Sequence, residues 1–159
     1  MNTPRPSSRQ LDETPTPRPK PPFKSLTELY PTHLPRAENG ERLYFGYNVS
    51  VKWIMEYANQ RLKPRRNNKQ YGETTLMYRG LIMLQDHTGI HTLSYQDATK
   101  ATDTNPPPER IVWEEDAIPI LCICTSDPEE LNLRPTRGQV NALTALFGGV
   151  QSPRWWTSI

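Results

Sequence analysis

Ile118-Pro119-Ile120-Leu121-Cys122-Ile123-Cys124-Thr125 is the stretch that decides the fold class. Read as a strand, it places Ile118, Ile120, Cys122 and Cys124 on one face and Leu121 and Ile123 on the other. Both faces are apolar, which fits a central strand covered on both sides. Asp127-Pro128 closes it. The apolar run from Ala117 to Cys124 is far short of a membrane span. Two same-face cysteines on a strand lie about 6.5–7 Å apart, too far for a mutual disulfide. Two thiols in an apolar strand fit a reducing compartment, so a cytoplasmic or nuclear protein is expected. The start, MNTPRPSSRQ, has no apolar core of a signal peptide. The sequon Asn48-Val49-Ser50 is then expected to be unused.

On the C-terminal side, Thr136 is placed to cap a helix whose apolar stripe is Val140, Leu143 and Phe147, ended by Gly148-Gly149. Residues 153–159, PRWWTSI, read as a last strand with Trp155 and Trp156 on opposite faces. On the N-terminal side, Ile90 to Tyr95 reads as a strand, followed by a polar loop over 97–110. Residues 73–86 suit a buried helix, with Glu73 at its positive end and Gly89 as its stop. Gly80 inside it costs about 1 kcal/mol against Ala, unless it permits a close crossing. Ser50 is the N-cap of an earlier helix with the stripe Val51, Ile54, Met55, Ala58 and Leu62, bounded by Pro64. Glu41 to Tyr47 reads as a short extended lead-in.

The sum is an α+β domain over residues 39–159, about three helices on a short three-stranded sheet. Residues 1–38 are different in kind. They hold nine of the seventeen prolines and no sustained period, so a disordered, extended tail is expected. Within it Phe23 to Tyr30 has enough apolar character to dock on the domain. Residues 1–24 carry five basic side chains against two acidic, a net of +3; the remainder carries fourteen against fifteen, a net of −1. A near-neutral domain has no global field to steer nucleic acid. The hydrophobic fraction of 35% is low for a globular chain, and much of the deficit lies in the tail and in 97–110.

Four short motifs carry a resemblance: Tyr44-Phe45-Gly46-Tyr47, His87-Thr88-Gly89-Ile90, Leu121-Cys122-Ile123-Cys124, and the run from Gln139-Val140 to Pro153-Arg154-Trp155-Trp156. In this order they resemble small uncharacterised proteins of mushroom-forming fungi, over about residues 42–159. That resemblance implies compartment and fold and brings no activity with it. Residues 137–147, RGQVNALTALF, also look like the first helix of a homeodomain. Only twelve residues follow Phe147, too few for a recognition helix, so this likeness is set aside.

The candidate contact residues fall into two groups. Pro19, Pro21, Pro22 and Lys24 fit the P-x-x-P-x-K pattern of a polyproline ligand, the alternative being an inert solvated linker. Trp53 and Tyr57, four apart on one helix, form either an exposed protein-binding anchor or an aromatic patch of the core. Arg61, Lys63, Arg65, Arg66 and Lys69 are the densest positive stretch. They suit phosphate contact or nuclear import, or simply complement a helix C-terminus. No aromatic side chain sits among them to stack a base.

Catalytic, metal and cofactor signals are weak. His87 and His91 with Cys122 and Cys124 offer zinc-type ligands, but Cys-x-Cys in an apolar strand reads as buried thiol. No Gly-x-Ser-x-Gly, P-loop or dinucleotide fingerprint occurs. Glu114-Glu115-Asp116 reads as a solvated turn. No cofactor, metal or membrane contact is expected. The expectation is a non-enzymatic intracellular interaction module that meets a protein partner, in part through its tail. Weak nucleic-acid association through 61–69 is the runner-up, and an enzyme of unknown reaction is third.

Overall fold

The structure, a computed structural model, describes residues 24–36, 40–63, 70–102, 111–149 and 151–159. Among these residues there are four strands, β1 (Leu43–Asn48), β2 (Ser94–Ala101), β3 (Ile118–Thr125) and β4 (Arg154–Ser158), with β2 and β3 consecutive and helical segments before β1, between β1 and β2 and between β3 and β4. These are the single turn α1 (Lys24–Thr27), then α2 (Val51–Arg61), α3 (Glu73–Thr88), the short α4 (Pro128–Asn132) and α5 (Arg137–Leu146). The class is α+β. The strands pair antiparallel in the order β1-β3-β2-β4, and β4 returns to β1, so the sheet closes into a barrel.

The three-stranded sheet expected from the sequence is corrected to four strands, because the lead-in at 41–47 is itself β1. Leu43, Phe45 and Tyr47 are buried at a period of two, the signature of a strand. Gly46 in its middle is required by close approach rather than by weakness. A Cβ there would run into the Leu121 carbonyl oxygen and lie 2.9 Å from the Cys122 Cα. The Trp156 indole also donates to the Gly46 carbonyl, at 3.1 Å.

β3 is the centre, as expected. All eight of its residues are buried. Its face assignment needs one correction. Phe45 faces Cys124 but Gly46 faces Cys122, so Ile123 is an extra residue in the β1–β3 register. Beyond such a bulge the alternation changes sides. Ile118, Ile120 and Cys122 therefore join Ala98 and Trp156 in a small cluster within the sheet. Leu121, Ile123 and Cys124 join the larger core under the helices, with Trp155. The two tryptophans do face opposite ways.

β2 starts later than expected, at Ser94 rather than Ile90, and runs into the expected loop as far as Ala101. Ile90 and Leu93 are core residues presented by a turn instead. That turn is fixed by the Gln85 amide donating to the Leu93 carbonyl (2.9 Å) and by the Thr92 hydroxyl donating to the Ile123 carbonyl (2.7 Å). His91 lies in this turn, exposed, not on a strand face.

The helix signals are present as read. Ser50 accepts from the Trp53 amide, and Thr136 and Gln139 make a complete capping box. Gly89 ends α3 with a left-handed φ of 75°. Gly80 faces Ile54 and Ala58, so α2 and α3 cross where only hydrogen fits: a Cβ would lie 2.8 Å from the Ile54 carbonyl oxygen. Asp127-Pro128 not only closes β3 but starts α4, with Asp127 as N-cap and Pro128 in the first turn.

Residues 26–32 form a strap over the domain, crossing the boundary expected at residue 39. Leu29 bridges Thr136, the Tyr30 amide donates to the Pro135 carbonyl (2.8 Å), and the Arg137 amide donates to the Glu28 carbonyl (2.8 Å). The Tyr30 ring lies 6.0 Å from Phe45, and the Trp155 indole donates to the Thr32 hydroxyl at 2.9 Å.

Candidate functional site

The site is built where β1 hands over to α2. Asn48 ends β1, and its side chain acts as an extra rung of sheet. Its Nδ2 donates to the carbonyls of Val112 (3.0 Å) and Pro119 (2.9 Å), and its Oδ1 accepts from the Val112 amide (2.6 Å). The side-chain amide of the sequon is thus engaged within the fold. Two residues on, the free amides at the start of α2 meet acceptors. Ser50 takes the Trp53 amide, and the Glu114 carboxylate takes the Val51 amide at 2.8 Å. Residues 111–114 are therefore tied to both β1 and α2. Glu114 and Ala117 then close a tight turn on each other, with Glu115 at a left-handed φ of 55°.

This handover fixes Trp53 in a row of rings. Trp53 stacks on Tyr57 at 5.4 Å and 18°, and meets Phe147 at 4.7 Å and 52°. Phe147 in turn meets Tyr47 at 4.9 Å. The Arg61 guanidinium closes the far end, 3.7 Å above the Tyr57 ring, and donates to the Tyr57 carbonyl. Tyr47 anchors the near end through a 2.7 Å hydrogen bond with the Thr144 hydroxyl. Burial pushes the Tyr47 phenol up to about 12, so it stays neutral.

Among the described residues the row leaves one edge uncovered. A cleft of about 280 Å³ is lined by Asn48, Val49, Ser50, Trp53, Val112, Leu146, Phe147 and Gln151. Its walls are aromatic and aliphatic. Its polar groups are amides and a hydroxyl, with Gln151 donating to the Asn48 carbonyl at 3.4 Å. None of these lining residues has a titratable side chain. Beside it, Val112 and Trp113 are exposed, at 41% and 54%, as are Glu115 and Asp116 in the turn that follows.

The residues singled out by the sequence divide as follows. Tyr57 is 5% exposed, so it is not the surface anchor that one reading allowed; stacking and the Arg61 cap cover it. Trp53 is half-buried and lines the cleft. Arg61 is already engaged with Tyr57, and Lys63 is exposed, its carbonyl accepting from the Tyr71 hydroxyl at 3.0 Å. Arg65, Arg66 and Lys69 lie outside the described residues, as do Pro19, Pro21 and Pro22. Lys24 opens α1.

His87 and His91 are exposed, whereas Cys122 and Cys124 are buried free thiols. Among the described residues no three His, Cys, Asp or Glu side chains are grouped to hold a metal. Burial pushes both thiols up to about 12, away from the thiolate a metal or a nucleophilic role would need. No helix among the described residues is long and apolar enough to cross a membrane.

Sequence reasoning missed Asn48, Val112, Phe147 and Gln151 as neighbours of Trp53. Asn48 was visible only as a sequon, and Phe147 only as a core position. Nothing local links residues 48, 112 and 151; closure of the sheet brings them together. Comparisons of the chain with known protein families, with curated proteins and with solved structures give no match.

Proposed function

We propose that this chain is a non-enzymatic interaction module whose domain takes an extended, apolar or proline-containing peptide of a protein partner in the cleft at Trp53. The observation that carries this reading is the row from Tyr47 through Phe147 and Trp53 to Tyr57. It holds a large aromatic side chain rigid, with one edge left to an open cleft. A preorganised aromatic in a desolvated pocket is the usual form of a binding hot spot. The uncharged lining supports binding rather than acid–base chemistry. At about 280 Å³ the cleft is smaller than most small-molecule sites and is open, which suits a few residues of a chain. The buried free thiols support a reducing compartment, cytoplasm or nucleus. The proline-rich stretch with Pro19, Pro21, Pro22 and Lys24 belongs to the same reading as a second contact region.

The test is selection of a displayed peptide library against the full chain. Enriched peptides should bind Val112→Asp at least tenfold more weakly and Tyr78→Asp, on the exposed face of α3, unchanged. The reading fails when no sequence is enriched, or when Val112→Asp binds the selected peptides as tightly as the parent.

A further inference from the structure

We infer that the cleft has an occupant within this chain: the segment from Pro15 to Pro19, folded back on the domain so that it competes with an outside peptide. The inference rests on the reading of the cleft as a peptide site and adds what fills it at rest.

Three observations carry it. The first is chemical fit. Pro15, Pro17, Pro19, Pro21 and Pro22 favour the polyproline II form, which loses little entropy on docking and is recognised by aromatic-lined grooves. Trp53 and Phe147 supply the rings, and Gln151 supplies an amide for a peptide carbonyl.

The second is charge. Residues 1–24 carry +3, and Arg18 and Lys20 lie within the proline run. The turn next to the cleft exposes Glu115 and Asp116, and the Glu114–Val51 hydrogen bond ties it to the start of α2, where Ser50 and Trp53 line the cleft. An acidic turn beside an aromatic groove offers a place for the cations between the prolines.

The third is reach. The strap delivers the chain to the start of α5, where the Leu26 carbonyl oxygen comes close to Gly138 and Glu28 meets Arg137. The cleft lies at the other end of α5, at Leu146 and Phe147. From Gly138 to Phe147 the helix axis advances about 14 Å at 1.5 Å per residue. Pro15 precedes Lys24 by nine residues, which in polyproline form span about 28 Å. About five of these residues cover the 14 Å along α5, and Pro15 to Pro19 then reach the cleft. A short tether gives an effective concentration on the order of 1 mM. A segment with an intrinsic Kd of about 0.1 mM would then fill about nine-tenths of its own cleft.

The experiment compares the full chain with a full-chain variant in which Pro15, Pro17, Pro19, Pro21 and Pro22 are all alanine. The probe is a fluorescent synthetic peptide of residues 11–23, read by anisotropy, with the Trp53 indole N–H and Gln151 side-chain amide followed by NMR. The variant should bind the probe about tenfold more tightly than the parent, and both resonances should differ between the two proteins. Equal binding of the probe to the two proteins, or binding to neither, overturns the inference. So does a Trp53 resonance in the parent that moves with chain concentration as a dimer forms, because the occupant is then a second copy. Peptides selected from the library separate the two levels. If they bind parent and variant equally at the cleft, self-occupancy falls and the peptide site stands. If none binds either protein, the peptide site itself falls.

Discussion

Gly46 and Gly80 show how much of this fold depends on the absence of one methyl group. At Gly46 the obstacle is backbone, the Leu121 carbonyl and the Cys122 Cα, and backbone in a closed sheet has no room to yield. Gly46→Ala is therefore expected to destabilise at or beyond the upper end of the usual overpacking range of about 1–3 kcal/mol. At Gly80 the added methyl meets Ile54, partly its movable side chain, and alanine gains about 1 kcal/mol of helix propensity. Gly80→Ala should cost less, about 1–2 kcal/mol. Gly72→Ala meets no clash, but Gly72 is the N-cap of α3, where alanine is the poorer cap, so it should cost about 0.5–1 kcal/mol. Urea midpoints of the three variants check the ranking, and a Gly46 variant as stable as the parent would contradict the register assigned to β1. The thiols make a second prediction at this scale. Only a thiolate alkylates, and burial holds Cys122 and Cys124 in the thiol form up to about 12. At pH 8 a maleimide should leave both unmodified in the native chain and label both in urea, as intact mass will show.

At the scale of elements, the caps were legible and the strand ends were not. Ser50, Thr136 and Gly89 each mark a helix terminus in sequence and do so in the structure, because a cap is a contact among neighbours in the chain. Replacing Thr136 by Ala should cost about 1 kcal/mol, read from the urea midpoint. The segment from Glu41 to Tyr47 reads in sequence only as an extended lead-in, since Gly46 breaks the apolar alternation and the partner that demands a glycine lies far away on β3. β2 was misplaced because Ile90 and Leu93 look like strand residues while serving the core from a turn. The strap makes its own prediction. Its hold on the domain is a few backbone hydrogen bonds, the Arg134 guanidinium on the Tyr30 carbonyl, the Trp155 indole on the Thr32 hydroxyl and the Tyr30 ring on Phe45. Tyr30→Ala should speed hydrogen exchange at the amides of residues 30 and 137 while the amides of β3 keep the protection of the parent. Loss of protection throughout would mean the strap is part of the global core.

The whole molecule carries a pH dependence from its buried phenols and thiols. Tyr47, Cys122 and Cys124 have folded values near 12, against ordinary values of 10.0 and 9.0, and Tyr95 is raised in the same direction, burial being the main cause throughout. A group raised in the fold favours the native state fully below its ordinary value. That contribution is lost as pH rises through the folded one. Stability should therefore be level to about pH 9 and fall between pH 9 and 12, as urea midpoints across that range will show. The cleft also belongs to this scale, which is why the sequence showed one residue of it. Trp53 stood out as a candidate anchor, but Val112 and Gln151 reach it only when β1, β3 and β4 close the sheet. The most direct test of its role is the ¹⁵N–¹H map of the full chain titrated with a library-selected peptide. The account predicts the largest shifts at the Trp53 indole, the Val112 amide and the Gln151 side chain. Shifts centred instead on Arg61 and Lys63, or spread without a focus, would contradict it.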